Sequence, residues 1–192
     1  MDVKPHNFSD SHEWRHWLLE NHDKAQEAWL TIHKKRSNRT GIRQEEAIEE
    51  ALCFGWIDGG MRSIDKETFI LRFSPRNTRS IWSKKNKEKA ELLIQQGRMT
   101  EAGLVKIEEA KKNGLWQNAY SSGAKVEIPD DLETALSVNQ VARKNFHNLA
   151  NTYRFMYIWW LNGARTEEIR RRRVEEIVKR AELNQKIRYG KI

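Results

Sequence analysis

Residues 43–60 decide the fold, and their sequence is Arg-Gln-Glu-Glu-Ala-Ile-Glu-Glu-Ala-Leu-Cys-Phe-Gly-Trp-Ile-Asp-Gly-Gly. The pattern predicts a helix over 43–55, because apolar residues recur every three or four positions on one face while glutamates line the other. The glycines that follow release the chain from the helix. We then expect two short strands, Met61 to Ile64 and Thr68 to Phe73, joined by a turn at Asp65-Lys66-Glu67. A helix that leads into a hairpin indicates an α+β fold.

Further elements extend from this centre in both directions. Residues 10–20 have an amphipathic helical pattern with Asp10 at the N-cap, and residues 27–34 are ambiguous but favour a strand. Ser83 suits the N-cap of a helix over about 85–96. We therefore predict a small, mainly antiparallel sheet packed by helices, with an all-helical C-terminal region.

The expected domain organisation is an α+β core domain over 1–116, a linker over 117–130 and a helical region over 131–192. A chain of 192 residues suffices for one ordinary domain or for a domain with a helical appendage. Hydrophobic residues make up 38% of the chain, below the usual share of about 45–50%, but eight Trp and six Phe supply large buried areas. This composition argues against a globally disordered chain.

The lone cysteine and the absence of long apolar runs limit the cellular setting. Cys53 is the single cysteine, which excludes an internal disulfide and a Cys-rich zinc site. No stretch approaches the run of about 20 apolar residues that a membrane helix needs, and the N-terminus lacks the apolar core of a secretory signal. We expect a cytoplasmic protein without a membrane span.

Positive charge is concentrated in two segments. The chain carries 35 Lys/Arg and 27 Asp/Glu, a formal net charge of +8. Residues 61–89 hold nine Lys/Arg against three acids, and residues 165–192 hold ten against five. Such segments favour anionic partners: phosphate groups, nucleic acid or acidic surfaces.

One metal-binding motif is present, but its context is wrong. His12-Glu13-Trp14-Arg15-His16 matches the H-E-x-x-H pattern, in which two histidines one helical turn apart bind zinc. Too few residues precede it to form a supporting sheet, and no third ligand is evident. We therefore predict no metal site and no cofactor.

Catalytic motifs are otherwise missing. The chain has no P-loop, G-x-G-x-x-G, G-x-S-x-G or Cys-x-x-Cys, so its status as an enzyme is uncertain and we lean against it. Cys53 lies beside acidic residues, and we expect a buried, unreactive side chain.

An arginine cluster is the main candidate for function. Arg72, Arg76 and Arg79 lie close together in sequence, followed by Trp82. Guanidinium groups suit phosphate and carboxylate, and indole rings can form the walls of a pocket. In the alternative interpretation, Arg72 or Arg76 pairs with Asp58 or Asp65 to brace the hairpin, and Trp82 simply packs.

The run Arg170-Arg171-Arg172-Arg173 resembles a nucleic-acid-binding arm. Four successive helical residues point in different directions, however, and glutamates flank them on both sides. We expect a solvated helix, and keep nucleic acid as a possible but less favoured partner.

Three motifs together carry a family resemblance: Ala51 to Gly59, Arg72-Phe73-Ser74-Pro75-Arg76, and Ser80-Ile81-Trp82-Ser83 with Asn86. Through them the sequence resembles the bacterial YdeI/OmpD-associated, or bacteriocin-protection, family, and the resemblance extends over roughly residues 8–180. It implies a link to protection against bacteriocins or cationic antimicrobial peptides, and to an outer-membrane porin. It supplies no catalytic residue or cofactor.

The function expected from the sequence is therefore stress or bacteriocin protection through binding of an anionic small molecule or acidic partner. The predicted ligand-binding residues are Trp56, Asp58, Arg72, Arg76, Arg79, Trp82, Ser83 and Asn86. One alternative is a nucleic-acid-associated basic protein, and another is an enzyme with an unrecognised site that uses Asp58 as a general base. Neighbouring arginines would lower the pKa of Asp58, which argues against that last role.

Overall fold

The chain divides into two compact units, and the boundary in the sequence falls between Ala119 and Tyr120. The computed structural model describes residues 4–34, 37, 39–121 and 127–185. Residues 122–126 of the predicted linker lie outside the described residues. The first unit contains α1 (Ser11–Asn21), β1 (Ala28–His33), α2 (Gln44–Cys53), β2 (Trp56–Ser63), β3 (Thr68–Pro75), α3 (Lys84–Gln95) and α4 (Glu101–Lys112). The second contains α5 (Asp130–Val138), α6 (Gln140–Asn148), α7 (Asn151–Asn162) and α8 (Glu167–Glu182).

The three strands form one antiparallel sheet with β3 in the centre, in the order β1-β3-β2. Alternate residues of β3 point to opposite faces, and the face that carries Leu71 and Phe73 is buried against the core. Leu30 of β1 lies opposite Leu71 and is also buried. The predicted α+β fold with a small antiparallel sheet and an all-helical C-terminal region is confirmed.

Strand β2 begins earlier than the sequence suggested. We expected a strand at Met61 to Ile64, after glycines that end the helix, but β2 starts at Trp56 and includes Gly59 and Gly60. Neither glycine has a positive φ, so both continue the extended chain. The pairing with β3 shifts between Asp58 and Met61, which is the irregularity that glycines in a strand often mark.

Helix α1 packs through its tryptophans. Asp10 caps the helix as predicted, since its carboxylate accepts from the backbone N–H groups of His12 and Glu13 at 2.8 and 3.0 Å. Trp14 is fully buried, and its ring lies against Trp17 and Trp56. These indoles fill the space between α1 and the sheet.

Gly55 brings the end of α2 close to α4. It has φ +72°, and a Cβ atom there would come within 2.6 Å of Lys106 Cγ and 2.9 Å of the Ala102 carbonyl oxygen. The backbone oxygen of Gly55 also accepts a hydrogen bond from the N–H of Arg76 at 2.9 Å. This one residue therefore places α4 and the end of β3 side by side.

Glu50 corrects one expectation about α2. The helical pattern placed Glu50 on the solvent face, but it is 4% exposed. Its carboxylate accepts from Arg15 and Arg98, each at 2.7 Å, so two cations from other elements cover it. The helical pattern of α2 alone does not reveal that arginines from other segments pack against this glutamate.

The named elements of the second unit are the four helices α5 to α8. Leu132, Phe146, Tyr157 and Ile177 are buried and come from four different helices. The Tyr157 hydroxyl donates to the Gln185 carbonyl at 2.9 Å, which satisfies the one polar atom of that side chain.

None of the described helices combines the length and the apolar character that crossing a membrane requires.

Candidate functional site

Arg76 lies just after β3 and is the most unusual charged residue of the predicted site. It is only 2% exposed, although arginine is rarely buried. Its Nη1 donates to the Ile81 carbonyl at 3.2 Å, and its Cζ lies 3.7 Å from the centre of the Trp82 ring. That distance places the guanidinium directly on the indole face, a favourable cation–π contact.

Arg76 and Trp82 line a shallow depression that we call the Arg76 depression. It is open to solvent and encloses no cavity of the size that holds drug-sized ligands, about 300–1,000 Å³. A ligand would therefore contact the depression from its mouth. The lining residues are Arg76, Asn77, Thr78, Ser80, Trp82, Lys106, Glu109, Ala110, Asn113 and Leu115.

Helix α4 supplies the second cation of the depression. The Lys106 ammonium contacts the Glu109 carboxylate at 3.0 and 3.2 Å, a pair one helical turn apart. Asn113 donates from its side chain to the Thr78 carbonyl at 2.7 Å and so ties α4 to the loop after β3. The charged residues that line the depression are therefore Arg76, Lys106 and Glu109, and the carboxyl of Asp58 also interacts with the charge of Arg76.

Asp58 lies on β2 opposite Phe73 and is partly buried. Burial raises the pKa of its carboxyl above the ordinary value, and the positive charge of Arg76 opposes that rise. We expected neighbouring arginines to lower the pKa. Arg76 does act in that direction, but loss of hydration has the larger effect, so the net shift is upward.

Trp56 and Arg72 do not line the Arg76 depression. Trp56 is 1% exposed, its ring packs edge-on against Trp17, and its indole N–H donates to the His22 carbonyl at 3.1 Å. Arg72 Nε donates to Glu27 at 2.6 Å, on the face of β3 that faces away from Phe73. The bracing partner of Arg72 is thus Glu27, and neither Asp58 nor Asp65.

Ser83, Asn86 and Arg79 occupy the segment that leads into α3. The Ser83 hydroxyl accepts from the Asn86 backbone N–H at 3.1 Å, which makes Ser83 the N-cap of α3 as predicted. Arg79 is exposed, in a turn where its N–H donates to the Asn77 side chain at 2.9 Å. Of the eight predicted residues, Arg76 and Trp82 line the depression. Ligand binding by the eight stays a prediction.

Lys106 and Asn113 were missed by the sequence reasoning. Both are ordinary polar residues on an amphipathic helix, and their position depends on the contact between α4 and Gly55. The Arg15–Glu50–Arg98 cluster was missed too. The sequence gives only a weak indication of this cluster, which is that Glu50 lies next to the apolar face of α2, directly before Ala51.

Cys53 is fully buried, as expected. Burial raises the pKa of its thiol, and the charge of Glu50 adds to that rise, while Arg15 opposes it. A thiol with a raised pKa carries little thiolate, which is the reactive form.

His12 and His16 are exposed on α1. Glu13 Oε2 accepts from the Ser9 backbone N–H at 2.8 Å, so this carboxylate belongs to the start of the helix. Within residues 4–34, 37, 39–121 and 127–185, no group of three or more His, Cys, Asp or Glu side chains could hold a metal ion.

The arginine run of α8 is divided between packing and solvent. Arg170 donates twice to Asp131, at 2.6 and 2.9 Å. Arg173 donates to the Trp160 carbonyl and lies over the Trp160 ring. Arg171 and Arg172 are exposed. The four side chains therefore do not form a single stripe.

Comparison with protein families places most of the first unit in one family. Residues 6–106, more than half of the chain, match the family model described as Domain of unknown function (DUF8412). The chain belongs to the DUF8412 family. Arg76, Trp82 and Lys106 all lie within this DUF8412 match.

A second family model covers the helical region that follows the DUF8412 match. Residues 125–184 match the family described as Bacteriocin-protection, YdeI or OmpD-Associated, which confirms the family suspected from the sequence. The central motifs on which the resemblance was based, Ala51 to Gly59 and Arg72 to Arg76, fall instead in the DUF8412 match. Searches of curated proteins and of solved structures found no match.

Proposed function

We propose that this protein binds a small anionic group in the Arg76 depression and takes part in protection against bacteriocins or related stress in the cytoplasm. The match of residues 125–184 to the bacteriocin-protection family supports the second part. The burial of the Arg76 guanidinium against Trp82, at the lining of a depression that Lys106 shares, carries the first part.

The physical case begins with the cost of burying a charge. A guanidinium that is 2% exposed has lost most of its hydration, and this cost must be offset by contacts. The Ile81 carbonyl, the Trp82 ring and the charge of Asp58 offset this cost. An anion in the depression would add a charge-assisted contact in surroundings of low polarity, where such contacts are strong.

The lining of the depression defines the ligand class. The cations Arg76 and Lys106 lie beside the hydroxyls of Thr78 and Ser80 and the amide of Asn77, and this set of polar groups suits an oxyanion. Because the depression is shallow, only a charged end group of the ligand would contact it, and the rest of the ligand would lie outside. The ligand chemistry is therefore a terminal oxyanion on a small molecule.

The test measures thermal unfolding with inorganic phosphate, sulfate and citrate, and uses Lys106→Gln as the variant. Glutamine keeps the Cβ and Cγ atoms that pack against Gly55, so the fold should persist. Lys111→Gln is the matched control, because Lys111 pairs with Glu108 on the same helix as Lys106 pairs with Glu109, yet does not line the depression.

We expect at least one of these anions to raise the melting temperature, since a ligand specific for the folded state stabilises by RT ln(1 + [L]/Kd), about 2.7 kcal/mol at 100 times Kd. Lys106→Gln should weaken this shift and Lys111→Gln should preserve it. Equal shifts in both variants, or no shift with any of the three anions, would contradict the proposal.

A further inference from the structure

The segment 68–87 contains six Lys/Arg and no acidic residue. Two of the six differ from the rest, because Arg72 pairs with the carboxylate of Glu27 and Arg76 is buried against Trp82. The other four form what we call the basic patch: Arg79, Lys84, Lys85 and Lys87.

Two residues of the basic patch are linked to the Arg76 depression. Arg79 lies in sequence between Thr78 and Ser80, which both line the depression. Lys87 Nζ lies 5.5 Å from the centre of the Trp116 ring, and that ring packs edge-on against Trp82 at 4.8 Å. A chain of direct contacts thus connects Lys87 to the wall of the depression.

The lysines of the patch lie where the helix itself disfavours them. Lys84, Lys85 and Lys87 are in the first turn of α3, whose exposed N–H groups already carry partial positive charge. A cation there costs a few tenths of a kcal/mol to about 1 kcal/mol. Their presence is thus not explained by the stability of the helix.

Counter-charges are also lacking at the patch. Among the residues that the structure describes, no carboxylate lies within ion-pair distance of these four cations, whereas Lys89 on the same helix pairs with Glu49 at 3.0 Å. Glu88 and Glu91 follow on α3 without pairing to the patch, and they offset two of its four positive charges in the local balance. The patch therefore keeps a net positive charge that is available to a partner.

The chemistry of the patch favours one kind of anionic partner. Its neighbouring apolar residues are covered: Ile81 is 8% exposed, Trp82 2% and Trp116 7%. A protein partner normally needs apolar or aromatic anchors, and a lipid surface is held best when apolar side chains insert. A phosphodiester backbone needs only cations, so it fits a patch that has little else.

We propose that the basic patch binds the phosphate backbone of double-stranded nucleic acid without reading its bases. Base stacking on single strands requires exposed aromatic rings, and those near the patch are buried. This inference rests on the proposed function for one detail, which is that the Arg76 depression takes one phosphate of the bound strand.

The experiment measures fluorescence anisotropy of two labelled DNA duplexes of unrelated sequence over a range of salt concentrations. The variant is Lys84→Gln/Lys85→Gln, and the control is Lys24→Gln/Lys66→Gln, which removes the same charge from exposed positions outside the patch. Melting temperature is recorded for both variants. The patch variant should melt at the same temperature as the wild type or slightly higher, because it removes cations from the start of a helix.

We expect both duplexes to bind equally and more weakly as salt increases. The slope of log K against log[salt] should fall in magnitude by about 1 for each patch lysine removed, and the control should keep the wild-type slope. Equal weakening in patch variant and control would show a simple net-charge effect and overturn the inference. So would binding to phosphatidylglycerol vesicles but to neither duplex.

The same measurements separate this inference from the proposed function. If duplexes bind through the patch but inorganic phosphate produces no thermal shift, the patch is supported and the depression as an independent anion site fails. If phosphate produces a thermal shift and neither duplex binds, the depression is supported as an anion site and the patch fails as a nucleic-acid site.

Discussion

Residues 68–87 and residues 167–176 each contain at least four cationic side chains, but they use this charge in different ways. The first segment has six Lys/Arg and no acid, whereas the second has four Arg and four Glu. In the second, Arg170 pairs with Asp131 and Arg173 packs on Trp160, so two of the four arginines brace the helices. In the first, four cations stay without carboxylate partners among the described residues. Local charge balance and packing, rather than an uninterrupted run of arginines, therefore determine where a free positive surface forms.

The largest effect is expected at Glu50, a buried carboxylate that binds both Arg15 and Arg98. The comparison above assumes that cations paired inside the fold contribute to its stability, and these two arginines should show the largest contribution. Glu50→Ala should lower the free energy of unfolding by roughly 3 kcal/mol, at the low end for breaking a buried pair. The low end applies because the arginine side chains are 30% and 37% exposed and keep part of their hydration.

Urea denaturation measures this change. Glu45→Ala, at an exposed position on the same helix, is the control and should stay within about 0.5 kcal/mol of the wild type. If both variants unfold at the same urea concentration, the cluster is not structural, and the division between internal and free cations loses its basis.

A smaller effect is expected for the ion pair that holds the arginine run of α8. Hydrogen bonds from Arg170 lower the pKa of Asp131 below its ordinary value. The side chains are 27% and 41% exposed, so Asp131→Asn should cost less than about 1 kcal/mol.

The contribution of the Asp131–Arg170 pair to stability should depend on pH, because folding lowers the pKa of Asp131. A carboxyl whose pKa is lowered by folding stabilises the protein above the unfolded pKa, near 3.8, and the contribution is lost as the pH falls through the folded pKa. The difference between wild type and Asp131→Asn in urea denaturation should therefore be present at neutral pH and shrink below pH about 3.8. A difference that stays constant over this range would show that the pair does not contribute through its charge.

The fold could be predicted in large part because its signals are local. The capping residues Asp10 and Ser83 and the alternation of Phe69, Leu71 and Phe73 each lie within a few residues of the structure they specify. The start of β2 could not be predicted, since Gly59 and Gly60 have the same local signature whether they end a helix or continue an extended strand with a shifted register.

The candidate site was predictable only where its residues are neighbours in sequence. Arg76 and Trp82 contact each other across a short loop, and the prediction included both. Lys106 and Asn113 reach the same depression through the close approach of α4 to Gly55, which no sequence spacing reveals. Arg72 was grouped with Arg76 because of proximity along the chain, but β3 ends at Pro75, between the two, and their guanidiniums lie in different surroundings.

The smallest effect is expected in residues 167–176, where four glutamates balance four arginines. Arg171 and Arg172 are exposed on α8, and a double substitution to glutamine should change the free energy of unfolding by less than about 0.5 kcal/mol. Because Glu167, Glu168, Glu175 and Glu176 cancel the charge of this segment, the variant should also keep the duplex affinity and salt slope of the wild type. Loss of slope equal to that of Lys84→Gln/Lys85→Gln would mean that the arginine run contacts phosphates despite its flanking glutamates, and local charge balance would then no longer distinguish the two segments.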